Sequence, residues 1–279
     1  MTLSQFWRRF RRNKFAVAAL VVVILLLLAA IFAPYLAPHD PNVQSLPDRR
    51  ALPGGKFLLG ADEFGRDMLS RTIWGARVAL RVGLIATGIG MVGGVAIGMI
   101  AGFVGGWLDE LLMRIMDILL AFPYLLLAIA IVSALGPGEV NTQLAIAIWT
   151  LPSFARLIRG SVISLKQREF VEAARALGAD TRRILWRHVL PNSISPIIIY
   201  GTLYIARAIT MEAALSFLGM GTQPPTASWG IMVSAGRNYL RTAPHIATIP
   251  GLAIAITVLA FNLLGDGLRD ALDPRLKDA

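Results

Sequence analysis

Six long stretches of this chain carry no charged side chain, and they leave it few folds to choose from. They run from Phe15 to Pro38, Val82 to Leu108, Ile118 to Gly138, Val140 to Ala155, Val189 to Ala206 and Ile246 to Gly265. A helix needs about 20 residues at ~1.5 Å each to cross the hydrocarbon core of a bilayer. Inside that core every backbone polar group must find its partner within the element, which favours helices. The fourth run is short, but its span extends past Arg156, because basic side chains reach back to the interface near helix ends. The fifth takes in Arg207 and Glu212, because Pro191 and Pro196 push its start later. The expectation is an all-α membrane protein with about six transmembrane helices. A mean hydropathy of +0.63 agrees with it.

Five basic residues (Arg8, Arg9, Arg11, Arg12 and Lys14) precede the first run, as they would in a secretory signal. The apolar stretch exceeds the ~7–15 residues of such a signal, so it reads as a retained first span. The net charge of +10 invites nucleic acid as a partner, but its distribution points to topology instead. With six spans both termini share one side. Basic residues on that side, from the N-terminal cluster through Arg114, Arg159, Lys166, Arg175, Arg182, Arg183 and Arg187 to Arg269, Arg275 and Lys277, outnumber those opposite roughly two to one. The positive-inside rule therefore puts both termini in the cytoplasm. The chain contains no cysteine, which excludes disulfides, thiol chemistry and thiolate metal sites. It has no GxxxxGK[ST], no HExxH and no grouping of its three scattered histidines, so it binds no ATP through a P-loop and holds no metal or enzyme site.

The second span carries Ala86, Gly90, Gly94, Gly98, Gly102 and Gly106, one small residue every four. On a helix they line one narrow stripe where a neighbouring backbone can come close. Such a seam either slides during a transport cycle or packs statically inside a bundle. Asp117 follows Arg114 by three residues, a spacing that suits a pair on one helical face. Glu212 lies deep in its span. A charge there costs about 2.5–3.5 kcal/mol on insertion scales, so it lines a pathway or gate, or makes a structural contact. Arg207, five residues away, falls on a different face. Between the last two spans, Gln223-Pro224-Pro225-Thr226-Ala227-Ser228-Trp229-Gly230 reads as a rigid outer turn with Trp229 at the interface. In the first outer loop Asp67 is placed to cap a helix starting at Met68.

Between the fourth and fifth runs lies a basic polar segment, Arg168 to Pro191. Helix formers run through Glu172-Ala173-Ala174, Gly178 stands where a left-handed cap would stop them, Asp180 is placed to cap a second helix, and Pro191 marks the next boundary. Glu172-Ala173-Ala174, three residues, Gly178, nine residues, then His188-Val189-Leu190-Pro191 resembles the EAA loop of permease subunits in bacterial ABC importers, whose pattern ends I-x-L-P. His188 stands where that pattern usually has Ile. Further blocks, GADEFGRDMLSR (Gly60–Arg71), DILLAFPYLLLAI (Asp117–Ile129), EAALSFLGMGTQPPTASWG (Glu212–Gly230), FNLLGDGLRDALDP (Phe261–Pro274) and the N-terminal FWRRFRRNK, are similar to the C-type permease of the di- and oligopeptide branch. Ala61 replaces the Thr usual in the first block.

The resemblance implies a type I ABC importer permease fold in a bacterial inner membrane. Residues 1–80 would hold the N-terminal segment, first span and outer loop, and residues 81–279 the transmembrane core, with a cytoplasmic coupling loop at about 160–191. It implies that Glu172, Ala173, Ala174, Gly178, Leu190 and Pro191 carry the mechanical link to two cytoplasmic ATPase subunits, which hold ATP and Mg. A second permease, usually a different chain, and an extracytoplasmic solute-binding protein complete the assembly. The chain itself would be non-catalytic and bind no cofactor. Dipeptides, oligopeptides, glutathione and nickel are cargoes of that branch. The rival is an ion-coupled secondary transporter using Glu212 and Arg207.

Overall fold

The computed structural model describes residues 3–272; Arg275, Lys277 and the end of the last block at Pro274 lie outside the described residues. Within them the regular structure is helical, and β pairing is confined to two isolated bridges in the first outer loop. The helices are α1 (Leu3–Phe10), α2 (Lys14–Ile31), α3 (Ala33–Leu36), α4 (Met68–Val104), α5 (Gly106–Ala121), α6 (Tyr124–Leu135), α7 (Glu139–Lys166), α8 (Glu169–Ala176), α9 (Thr181–Ile184), α10 (Leu190–Phe217), α11 (Trp229–Gly236) and α12 (His245–Leu272). Five are long and apolar enough to cross a membrane: α2, α4, α7, α12, and α10 together with the helical turns that lead into it from Thr181.

The third apolar run is not one straight span. It breaks between α5 and α6, whose axes differ by 95°. Pro123 causes the break: a residue before proline is pushed out of the helical region, and Phe122 sits at ψ 137°. Taken as one broken span, the pair brings the number of crossings to six.

Proline does the opposite at Pro191. The expected boundary there is absent, because helical backbone continues from Thr181 into α10 through a π-turn at Leu185–Val189. The widened turn lets the Leu190 N–H reach back five residues to the Leu185 carbonyl. Pro191 follows in the first turn of α10, where a missing N–H is tolerated. Asn192 and Ser193 side chains donate to the carbonyls of His188 and Val189, at 2.6 and 3.0 Å. The second helix of the polar segment is therefore the root of a span rather than a separate element.

The inner layer is built on α4 and α7. A Cβ added at Gly90, Gly94, Gly98 or Gly102 would come within 3.0 Å of α7, meeting in turn the carbonyls of Ala147, Leu151, Ala155 and Arg159. These four carbonyls are also spaced by four, so one row of backbone lies against another with no side-chain layer between. Gly106 does not continue the row: at φ +61° with nothing nearby, it belongs with Gly105 to the break before α5. Across the bundle, Gly265 of α12 receives Leu203 of α10, and Gly267 receives Ala16 of α2. Phe10 is buried beside Gly267 and stacks with Phe6 and Trp7, which fastens α1 beneath α2 and α12. Residue 80 lies inside the unbroken α4.

The loop between α3 and α4 is pinned by a buried charge cluster. Asp62 Oδ2 accepts from Arg66 Nε at 2.6 Å and lies 3.3 Å from Arg71 Nε, while Oδ1 accepts the backbone N–H groups of Phe64 and Arg66. Arg71 also donates to the Pro41 carbonyl at 2.8 Å. Asp67 caps α4, accepting from the Ser70 N–H at 3.0 Å. Burial, then the neighbouring Asp62, pushes the Glu63 carboxyl above its ordinary range, with Arg66 and Arg71 opposing.

Candidate functional site

Two features of this bundle are built for more than packing: the polar elbow at α8 and a cavity beside α10.

The elbow starts where α7 ends. Lys166 donates to the last carbonyls of α4 through Phe103 O at 2.6 Å, which brings the ends of α4 and α7 together. Next comes α8, with Glu169 and Glu172 in its first turn and Arg175 in its last, the order a helix dipole favours. It ends in a Schellman motif: Gly178 N–H donates to Arg175 O at 2.9 Å, Ala179 N–H donates to Ala174 O at 3.0 Å, and Gly178 takes φ +82°. Asp180 then accepts the Arg183 N–H at 3.0 Å and opens the second limb.

One side chain of α8 is buried. Val171 is 0% exposed and packs with Met99 and Phe103 of α4, Ile158 and Val162 of α7, and Ile184 and Val189 below α10. The rest of the elbow faces outward. Glu172, Ala173, Gly178 and Pro191 are exposed, while Ala174 and Leu190 are half-buried. His188, at the Ile position of the motif, is half-buried with its ring 6.2 Å from Phe170. Two large apolar side chains that sequence inspection passed over stand out from the same surface: Leu177, 89% exposed, and Trp186, 62% exposed. The signal was available, since each is an apolar residue in a segment otherwise solvated by arginines.

The cavity, of about 820 Å³, lies between α5, α7, α10 and α12. Tyr200, Tyr204 and Arg207 from α10, Arg156 from α7 and Arg269 from α12 line it with Ser153, Ser195 and aliphatic side chains. Asp117 does not pair with Arg114; it reaches across to Arg156 at 2.6 Å, and Asp109 makes a two-pronged pair with Arg159 at 2.6 Å. Because α5 is bent away at Phe122, its acidic side chains meet α7 rather than a neighbour on their own helix.

Glu212 lies outside this lining. It is 1% exposed, and its Oε1 accepts from Ser216 at 2.7 Å, Ser228 at 2.9 Å and Thr222 at 3.4 Å. The carboxylate ties the loop after α10 to its own helix. Arg207 is on another face, 4.9 Å above the Tyr204 ring, so the two charges do not meet. Trp229 is buried rather than presented at the surface. Its indole donates to the Thr72 carbonyl at 2.9 Å and fills the space left by Gly75, so α4 and α11 close over it. No group of three or more potential metal ligands occurs among the described residues.

A bundle of five long apolar helices and one sharply bent pair, with a helical elbow at the root of a span and a wide cavity beside it, has the form of a transporter's membrane domain. The chain belongs to the family described as binding-protein-dependent transport system inner membrane component, which matches residues 94–278, and residues 2–53 match the N-terminal transmembrane domain of oligopeptide transport permease C. It is 48% identical over 283 residues, 99% of this chain and 93% of the relative, to the di/tripeptide transport system permease protein DppC of Pseudomonas aeruginosa. It is 48% identical over 274 residues to the glutathione transport system permease protein GsiD of Pectobacterium atrosepticum, covering 98% of this chain and 91% of that one. Among solved structures, the inward-facing MetNI methionine ABC transporter matches with a TM-score of 0.61 at 17% identity, over 74% of this chain and 98% of that one. An amino acid ABC transporter matches with a TM-score of 0.55 over 71% of this chain and 92% of that one, also at 17% identity. The fold is that of type I ABC importer permeases, and the chain is a multi-pass inner-membrane transport permease. The secondary-transporter alternative is not favoured.

Proposed function

We propose that this chain is one of two permease subunits of an ATP-driven importer of di- or oligopeptides, glutathione included, with α8 as its coupling helix. Relatives named for di/tripeptide and glutathione transport support the cargo class. We place both termini in the cytoplasm, the ATP and Mg on two partner ATPases, the solute on an extracytoplasmic binding protein, and a different chain as the partner permease. The chain supplies half of the pathway and no catalytic group. Residues 81–279 form the transport core, and the separate family matches at 2–53 and 94–278 support that division of the sequence.

The observation that carries the coupling role is the elbow's construction. An exposed helix bearing Glu172, Ala173 and Ala174 is rooted by Val171 where α4, α7 and α10 converge. Closure of the ATPases on ATP would move α8, and its buried anchor would pass that movement to three spans at once. The cavity would then turn from the inner to the outer side.

The test is the assembled complex in proteoliposomes with its binding protein. Glu172→Lys reverses charge on the outward face of α8 and is expected to bring binding-protein-stimulated ATP hydrolysis and peptide uptake down to basal levels. Wild-type rates in that variant would remove Glu172 from the docking contact. A chain that purifies without ATPase or second permease in several mild detergents, yet transports, would overturn the importer itself.

A further inference from the structure

Arg207 presents a charge that no carboxylate answers among the described residues. It lies ten residues before the end of α10 at Phe217, about 15 Å along the helix and so near mid-bilayer. A guanidinium facing lipid at that depth is costly, which is why such residues face a cavity or a partner. Arg207 is exposed in this chain and lines the cavity. Among the described residues no carboxylate lies within ion-pair distance of it, and no Asp or Glu lines the cavity. Of the other two cations there, Arg156 is held by Asp117, and Arg269 stands at the inner end of α12.

The guanidinium is held in position even so. It lies 4.9 Å over the Tyr204 ring, and that ring is itself fixed by Phe154 at 5.3 Å, Trp149 at 5.5 Å and Tyr200 at 6.3 Å. Stacking on one face leaves the N–H edge free. That edge is a rigid fork whose geometry matches a carboxylate with two parallel hydrogen bonds.

We propose, resting on the importer reading above, that Arg207 is the point in the pathway that receives the C-terminal carboxylate of the peptide cargo. The terminal carboxylate is the one anionic group all peptides share. Of the three cations in that lining, Arg207 is the one fixed by an aromatic stack, and it engages the carboxylate while reading none of the cargo's side chains. The site therefore takes solutes by their carboxylate, and specificity for sequence has to come from elsewhere in the assembly.

The experiment compares ATP-driven uptake of dialanine and of dialanine amide by the complete complex in proteoliposomes, with the same binding protein throughout. Whatever preference the binding protein has is common to all variants, so a change in the acid-to-amide ratio belongs to the permease. R207Q is expected to lower that ratio about tenfold, the size of one lost charge-assisted contact, while the complex still assembles and hydrolyses ATP. R207K keeps the charge without the fork and is expected to lower it two- to threefold. An unchanged ratio in R207Q overturns the proposal. Should R207Q fail to assemble, an unchanged ratio in R207K overturns it instead. Wild-type vesicles that take up neither probe, nor a longer peptide nor glutathione, with ATP and binding protein present would sink the importer reading, and this inference with it.

Discussion

At the scale of single residues, chemistry that sequence leaves open is decided by what each side chain touches. Glu212 could equally have faced a pathway or a packing contact, because depth in a span says nothing about direction. Three hydroxyls hold it: Ser216 one turn along its own helix, and Thr222 and Ser228 from the following loop, too distant in sequence for helical spacing to have revealed them. Asp117 failed to find Arg114 for a similar reason: the pairing rule compares residues on one helix, and the competitor was Arg156 on another. Asp67, Asp180 and Gly178 were legible, because caps are local and their partners lie within a few residues. Glu63 gives a pH prediction. Its folded-state carboxyl holds a proton more tightly than the unfolded one does, since burial and Asp62 raise it. Its contribution is therefore fully present below the unfolded value and is lost as pH rises through the folded one. Hydrogen exchange across residues 60–66 should accelerate over that window, and Glu63→Gln should flatten the dependence. Equal slopes in variant and wild type would refute it.

At the scale of elements, three of the five long spans were readable from uncharged length, two only by letting Arg156, Arg207 and Glu212 into the helix, and the break in the remaining run was not readable. Pro123 and Pro191 look alike in sequence. One stands at a 95° bend between two helices and the other sits in continuous helical backbone just after a π-turn, a difference that proline alone does not announce. The glycine row was legible as a row, but its last member was not, since Gly106 takes a positive φ that only the α4–α5 break explains. Gly94→Leu is the test of that row. Its side chain would enter space held by the Leu151 carbonyl and the Phe154 Cβ. Overpacking of this kind costs about 1–3 kcal/mol or more, so the purified complex should melt several degrees lower and assemble in reduced yield. A melting temperature equal to wild type would show that α4 and α7 separate more easily than their contact suggests.

At the scale of the whole molecule, orientation is the proposal most cheaply checked, because a chain without cysteine accepts single cysteines on a clean background. Leu177→Cys on the elbow should react with a membrane-impermeant thiol reagent only in inside-out vesicles, and Lys56→Cys in the first outer loop only in intact cells or spheroplasts. The reverse pattern would invert the topology. One element connects these two faces. From the Val171 cluster at its inner end, α4 runs unbroken for 37 residues to the Asp67 cap and the Asp62 charge cluster outside, stiffened along its inner half by the backbone of α7. A rod of about 55 Å that is pinned at both ends cannot be tilted at one without the other registering it. If both ends bias the tilt of that rod, the effect of an event at one surface on the elbow equals the effect of the elbow on that surface, since coupling between two sites is reciprocal. In the proposed importer, arrival of a loaded carrier at one surface and ATP binding at the other would be two ends of a single mechanical conversation.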